Sequence, residues 1–599
     1  MLLTLTAVVA LAAAAVYAAP ARPSHPLLSK DGLSRRAGSL SIPDDAVFRD
    51  MWMALSDMQE TYFERWLGTW PDGIDWTRAV MGTHVAATLR TISDELHVDE
   101  PDQDVGCSTR KEEVIGGYFA DVIAYYFAED TFAIRNEAYD DMLWVVLAWL
   151  ESIRFIDEHS RATSSSCSKE SGAWPGLDAW YGSRWIPAFA HRARIFWELA
   201  AKGWDTKLCG GGMIWNPRLM PYKNAITNQL FISASIGMYL HFPGDSNSSP
   251  YETADWPPHD PVYGKAAQGA HEWLVSSNMT NKQGLYADGF HISGQSTGSN
   301  NTKCDERDEM VYTYNQGVLL SGLLGLYRAT GQERYLNEGH TLIRNVISAT
   351  GYDLEKNKPV DQIQPDSVPR WHGLGRAGVL EEACDASATC SQDAQTFKGI
   401  WMHHFAAFCG PAALRFTSSD FLGTQRPHRQ AEADTVRARH ERECRRYVPW
   451  LRHNARAAAG TRDENGLFGM WWTAGLLGLT GEAPIESAPD LHPLPPAADG
   501  EVVDYRNEGV PLDPKWTRGA GGGDVPPVPM PDTKRTSQEP LKSDRLTEKK
   551  KKRAKTARDD SGDGDAYDPN LRGRGRTVET QGGGLALLRA LWLVSRLEG

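Results

Sequence analysis

The sequence predicts an all-α chain whose paired helices close into a toroid. Apolar residues recur at i, i+3 and i+4 in segment after segment from about residue 47 to 480. Runs of β-branched residues with strict alternation are nearly absent, and neither coiled-coil heptads nor a fixed repeat period runs through the chain. In chain order the periodicity predicts helices over Phe48–Trp66, Trp76–Leu96, Val114–Phe127, Asp140–Phe155, Trp185–Leu199, Tyr222–Leu240 and Val262–Val275. It continues over Gln316–Tyr327, Tyr335–Ile347, Ala394–Phe408 and Gly466–Leu479. Loops rich in Gly, Pro, Ser and Asp separate them, as at 163–167 and 242–246.

Composition narrows the function. The 599 residues carry 63 Lys+Arg against 77 Asp+Glu, a net charge of −14, which argues against a phosphate-tracking nucleic-acid binder. With 41% hydrophobic and 10% aromatic residues the chain can bury a large core. Its one uniformly apolar stretch is too short to span a bilayer, so no transmembrane segment is expected in the mature chain. Trp (21) outnumbers Tyr (20) and Phe (17), a bias that suits a sugar-stacking cleft and equally suits a core.

The N-terminus reads as a secretory leader. Leu2 to Val16 is apolar and ends in Val16, Tyr17, Ala18 and Ala19 before Pro20, predicting a signal peptide over 1–19. The pair Arg35-Arg36 would close a pro-segment over 20–36. Eight cysteines (Cys107, Cys167, Cys209, Cys304, Cys384, Cys390, Cys409 and Cys444) fit disulfides in an oxidising compartment, with no pairing legible. Asn247, Asn278 and Asn300 open N-glycosylation sequons. A secreted, monomeric, wall-associated glycoprotein is the expectation. Leu585–Leu597 is interrupted by Arg589 and Arg596, so it reads as an amphipathic helix and no lipid anchor is expected.

Residues 482–577 break the helical pattern. They are dense in Pro, Gly and charge, including Lys549 to Lys552, Arg553, Lys555 and Arg558, and predict a disordered insertion. Helical pattern returns over 578–599. A final helix after such a tract needs the core of 37–481 to pack on, so the toroid resumes after the insertion.

The sharpest chemical feature is Asp140-Asp141, directly ahead of the apolar run from Met142 to Trp149. Carboxylates in that place cap a helix against its positive dipole end. The same pair also has catalytic geometry. Adjacent Cα atoms lie about 3.8 Å apart, and the side chains diverge by about 100°. Carboxyls about 5 Å apart match a retaining glycosidase better than an inverting one. One could stay ionised as nucleophile while its charge keeps the other protonated. Metal–diphosphate chemistry fits poorly, because Asp-Asp-x-x-Asp would need an acid where Trp144 stands.

Asn224 and Asn228 share a helix face, where they could meet sugar hydroxyls or pack between helices. Tyr314, Asn315 and Gln316 open another helix, and Asn315 could be its N-cap. Trp215, Trp471 and Trp472 are either stacking platforms or core. His403-His404 has no companion ligand spacing, so no metal site is expected.

Tyr139-Asp-Asp-Met-Leu-Trp-Val-Val-Leu-Ala-Trp149 resembles the signature of glycoside hydrolase family 76, the α-1,6-mannanases. Further stretches fit in order: Gly211-Gly-Met-Ile-Trp-Asn216 with Tyr222-Lys-Asn-Ala-Ile-Thr-Asn228, then Tyr312-Thr-Tyr-Asn-Gln-Gly317 with Leu326-Tyr-Arg-Ala-Thr-Gly331, then Phe397-Lys-Gly-Ile400. Gly466-Leu-Phe-Gly469 and Glu579-Thr-Gln581 complete the set. The resemblance implies an (α/α)6 toroid and metal-free, cofactor-free retaining cleavage of α-1,6-mannan or mannoprotein glycan. It makes Asp140 the nucleophile, Asp141 the general acid/base, and Asp288 a sugar contact. A wall transglycosidase and a non-catalytic mannan-binding protein are the alternatives.

Overall fold

A computed structural model describes residues 40–41, 45–98, 109–167, 180–249, 256–363, 367–414, 430–479, 504–508 and 568–598. Its main helices are α1 (Ala46–Tyr62), α2 (Asp75–Glu95), α3 (Thr109–Ala128), α4 (Tyr139–Cys167), α5 (Ile186–Ala201), α6 (Ala225–His241) and α7 (Pro261–Ser276). They continue as α8 (Tyr314–Thr330), α9 (Arg334–Ala349), α10 (Gln392–Cys409), α11 (Gln430–Arg445), α12 (Val448–Ala459) and α13 (Val578–Ser595).

Six of these form a closed inner ring, α2–α4–α6–α8–α10–α13, with α13 returning to pack on α2. Outside it, α3 packs on α2, α5 on α4, α7 on α6, α9 on α8, and both α1 and α12 on α13. This is the (α/α)6 toroid. The two layers differ as their surroundings demand. Inner α6 is buried from Ala225 to Ile236 without a break, whereas outer α9 buries one stripe that includes Tyr335, Leu336, Leu342, Ile343 and Val346.

Close approach inside the ring depends on glycine. A Cβ on Gly317 of α8 would stand 2.6 Å from the Trp401 Cα of α10, and one on Gly399 would stand 3.1 Å from the Gly583 Cα of α13. Ring closure is also polar. Glu579 accepts from Thr77 Oγ1 at 2.9 Å and from Gln392 Nε2 at 2.8 Å. Gln581 donates to the Ala54 carbonyl at 3.0 Å and accepts from Phe468 N at 3.0 Å. The Glu579-Thr-Gln581 signature is therefore the clasp of the ring.

Three expectations need correction. The Ser-rich stretch over 163–167 is not a loop but the end of α4. Helix α11 escaped the apolar pattern because it is charged on most faces, and α12 because Pro449 stands in its first turn, where it is tolerated. Gly466–Trp471 is irregular, and only Trp472–Leu477 is helical. Within 482–577, two stretches are ordered and joined to the ring: Tyr505–Glu508 and the turn Pro569–Leu571. Residues 482–503 and 509–567 and the signal-peptide and pro-segment expectations lie outside the described residues.

Three disulfides are described, Cys209–Cys304, Cys384–Cys390 and Cys409–Cys444. The side chains of Cys107 and Cys167 lie outside the described residues. Asn247, Asn278 and Asn300 are all exposed, so each sequon is sterically open to glycosylation. Among the described residues no helix is long and apolar enough to cross a membrane.

Gly317→Ala tests the ring contact by its sign. Helix propensity alone favours Ala by about 1 kcal/mol. The collision with the Trp401 backbone should outweigh that, with overpacking costing about 1–3 kcal/mol. Thermal melting should show a lower Tm, and an unchanged or higher Tm would refute the contact.

Candidate active site

The N-terminal ends of the inner helices gather the candidate residues. Asp140 and Asp141 occupy the first turn of α4, which is anchored by Tyr139 N donating to the Trp215 carbonyl at 2.9 Å. Only one of the two is spent on capping. Asp141 Oδ2 accepts from Ala138 N at 2.9 Å, so the second carboxylate caps its own helix. Asp140 is 4% exposed, and its Oδ1 is buried with no hydrogen-bond partner.

Facing the pair is a three-stranded patch: β1 (Lys223–Asn224), β2 (Gly289–His291) and β3 (Glu306–Asp308), antiparallel in that order. It places Asn224 opposite Gly289, and Gly289 opposite Asp308. Asp288, just ahead of β2, is locked in place. Tyr222 Oη donates to its Oδ2 at 2.7 Å, Asn315 Nδ2 donates to its Oδ1 at 3.1 Å, and its carbonyl accepts from Ala225 N at 2.7 Å. Around it three more buried polar atoms lack hydrogen-bond partners: Asn224 Nδ2, Asn315 Oδ1 and Asp308 Oδ2. Orphaned donors and acceptors of this kind cost free energy unless a ligand satisfies them, and a sugar hydroxyl can do both.

The predicted polar residues therefore separate. Asn224 caps α6 through Oδ1, which accepts from Thr227 N at 3.3 Å, and keeps its amide nitrogen unspent. Asn315 is not an N-cap; Thr313 holds that position in α8. Asn228 is saturated by Met213 N, the Met213 carbonyl and the Asn224 carbonyl. Gln316 is saturated by Tyr286 N and the carbonyls of Tyr286 and Tyr312. Both pin the walls. Tyr314 stacks on Phe397 at 3.8 Å, and Trp215 is half-buried beside the pair. Trp471 and Trp472 are core, with Trp471 Nε1 donating to Glu381 at 2.8 Å. His403 and His404 are buried, and burial pushes His404 down to about 3.

One neighbour lies where sequence reasoning expected no structure. Arg506, on the short helix Tyr505–Glu508, brings Nη2 to 3.8 Å from Asp140 Oδ2. Its guanidinium also lies 5.2 Å from the Trp215 ring centre and 5.7 Å from that of Tyr314. The segment is tied down on both sides: Asp504 accepts from Tyr312 Oη at 2.6 Å, and Asn507 Oδ1 accepts from Ser391 N at 2.7 Å. Asp308 was also missed, being one of four acids between Asp305 and Glu309 in a polar stretch. Burial first, then the charge of Asp288, pushes it to about 8.

The same forces split the Asp pair. Burial raises Asp140 to about 6 against the pull of Arg506. Burial, then the charges of Asp140 and Glu137, hold Asp141 well above the usual carboxylate range. As pH rises the pair releases its first proton from Asp140, and Asp141 keeps the second.

Two groups of described residues bring metal-ligating atoms together: His340, His440 and Cys444, and Cys384, Asp385 and Cys390. In both, every cysteine sulfur is already in a disulfide.

Residues 183–445 match the model of Glycosyl hydrolase family 76. The match covers less than half of the chain. The matched stretch contains Asn224, Asp288, Asp308 and Asn315 and begins after the Asp pair. Among curated relatives, the mannan endo-1,6-alpha-mannosidase DCW1 of Saccharomyces cerevisiae is 27% identical over 38% of this chain and 40% of its own length. The mannan endo-1,6-alpha-mannosidase DFG5 of the same yeast is 24% identical over 46% and 52%. The chain thus spans about half the length, or less, of these two relatives. An inactive variant of the Salegentibacter α-1,6-mannanase GH76A, in complex with α-1,6-mannotetrose, aligns with 16% identity and a TM-score of 0.44, over 72% of this chain and 92% of that one. Dfg5 from Chaetomium thermophilum in complex with glucosamine aligns with 15% identity and a TM-score of 0.42, over 72% and 84%.

Asp140→Asn tests the burial of the Asp pair through stability alone. The folded-state pKa of about 6 lies above the ordinary 3.8. The wild type therefore keeps this contribution below about pH 4 and loses it as pH rises through about 6. The Asn variant has no such loss, so its stability relative to wild type, followed by Tm, should grow over that window and then level off, on the order of 3 kcal/mol. A flat difference across pH, or a destabilised variant at pH 7.5, would contradict the burial.

Proposed function

We propose that the protein is a secreted, wall-associated retaining glycosidase that cleaves α-1,6-mannosidic linkages within a mannan backbone. The observation that carries this reading is the Asp pair itself: adjacent carboxylates raised to unequal degrees, facing orphaned polar atoms, in a chain that matches the family 76 model. The family match and the names of the yeast relatives support the substrate class, and the exposed sequons and the disulfides support the compartment.

The chemistry follows from the two environments. Asp140, the first to ionise, attacks the anomeric carbon as the glycosidic C–O bond breaks, and Asp141 gives its proton to the departing oxygen. Asp141, now ionised, takes a proton from water as that water displaces Asp140, restoring both groups. Arg506 favours the ionised nucleophile at the start. Asp288, held by Tyr222 and Asn315, presents a fixed acceptor to the sugar, while Asn224 Nδ2 and Asn315 Oδ1 supply a donor and an acceptor.

Incubation of the full chain with unbranched α-1,6-mannan, with and without an oligosaccharide acceptor, should release short oligomannosides without acceptor. Asp140→Asn and Asp141→Asn should each reduce this by at least about 10³-fold while the protein stays folded. Lengthened products formed only with acceptor would make it a transglycosidase. Binding without turnover, unchanged in both variants, would make it a mannan-binding protein.

The pH profile probes Arg506 separately. Its positive charge lowers the Asp140 pKa, so Arg506→Gln should move the acid limb of kcat/KM upward from about pH 6. Arg506→Lys should restore it in part. An unmoved limb would remove Arg506 from the site's electrostatics.

A further inference from the structure

The segment that carries Arg506 to the Asp pair is too short to hold itself in place. Tyr505–Glu508 is a single helical turn, and isolated helices shorter than about 12–15 residues are marginal in water. The guanidinium does not anchor it to the nearer acid either. Arg506 Nη2 stands 3.8 Å from Asp140 Oδ2, beyond hydrogen-bond reach, and Arg506 Nε is buried with no hydrogen-bond partner. The place of the charge is therefore set by what holds the backbone of residues 504–507.

That backbone is held at Asp504. Its Oδ1 accepts from Tyr312 Oη at 2.6 Å and from the Arg506 amide at 3.2 Å, so a single oxygen links the phenol to Arg506. Its Oδ2 accepts from Asn507 Nδ2, and its carbonyl accepts from Asn507 N at 3.1 Å. A phenol donating to a carboxylate is charge-assisted and among the stronger hydrogen bonds, and here both partners are buried. On the far side of Arg506, Ser391 N donates to Asn507 Oδ1 at 2.7 Å.

Tyr312 is fixed by the ring of helices. Its side chain meets Tyr314 edge-on at 5.9 Å and Phe397 at 5.4 Å, and its carbonyl accepts from Gln316 Nε2 at 2.9 Å. The hydroxyl is thus a docking point already in place, on which the short segment sits. The groups that face Asp140 are Arg506 from this segment, Asp141 from its own helix, Asp288 beside the strand patch and Tyr314 from α8. Arg506 in turn faces Tyr314, Asp288 and Asp393 of α10. Arg506 is the one cation among these groups, so displacing it leaves Asp140 beside acids alone.

We propose that Tyr312 is a positioning residue for Asp140: its hydroxyl seats Asp504, and through Asp504 it holds Arg506 beside the carboxylate. That Asp140 is a nucleophile rests on the glycosidase reading; the coupling of Tyr312 to Asp140 does not.

Stability against pH tests the coupling in the full chain without substrate. In each background, the Tm difference between a protein and its Asp140→Asn partner changes as pH passes the Asp140 midpoint, about 6 in the wild type. Tyr312→Phe keeps the ring and removes the hydroxyl, and should raise that midpoint by at least half the shift that Arg506→Gln produces. In an Arg506→Gln background it should add nothing. Asp504→Ala should also raise the midpoint, although loss of a negative charge by itself would lower it; this variant decides the matter if Tyr312→Phe fails to fold. On unbranched α-1,6-mannan the acid limb of kcat/KM should move up in step. Absence of turnover in the wild type would overturn the glycosidase reading and leave the stability result to decide this one. An unmoved midpoint in Arg506→Gln, or in folded Tyr312→Phe or Asp504→Ala, would overturn the proposal. So would equal shifts from Tyr312→Phe with and without Arg506.

Discussion

The inner helices all run in the same direction, and the distribution of charge follows from that constraint. A closed ring of parallel helices has one rim of amide-rich N-termini and one rim of carbonyl-rich C-termini. The first rim carries Asp75, Asp140, Asp141, Asp393 and Glu579 in the opening turns of α2, α4, α10 and α13. Towards the second lie Arg90, Arg154, Arg328 and Arg589. The sorting by sign places the first-turn carboxylates, and Arg328 in the last turn of α8, where the backbone helps to solvate them.

At the acidic rim the helix field alone is insufficient. Burial outweighs it for Asp140 and more so for Asp141, whose closest charges are also negative. The difference between the two residues is made by what surrounds them: a guanidinium beside one, carboxylates beside the other. The asymmetry therefore arises from neighbours contributed by distant parts of the chain, although the two acids are adjacent in sequence and in the same turn.

The helical toroid was legible because outer helices buried on one face carry a 3.6-residue period, while inner ones such as α6 read as long apolar runs. The Asp pair was legible because two adjacent acids before an apolar run stand out. The function of the asparagines was not, since Asn224 and Asn228 look alike in sequence and differ only in whether a backbone loop, Met213, has already used the amide. Arg506 was hidden for a different reason. Its surroundings are compositionally those of an unfolded tract, and the three contacts that fix Asp504, Arg506 and Asn507 are all with residues more than a hundred positions away.

The clasp between Thr77 and Glu579 joins residues 502 positions apart. Chains are made at about 5–20 residues per second, so the first inner helix leaves the ribosome roughly 25–100 s before the helix that covers its open flank. During that interval every completed hairpin has a bare apolar edge awaiting the next. The newborn protein is an open arc, and the interval before α13 arrives is when it is most exposed to aggregation and most dependent on chaperones.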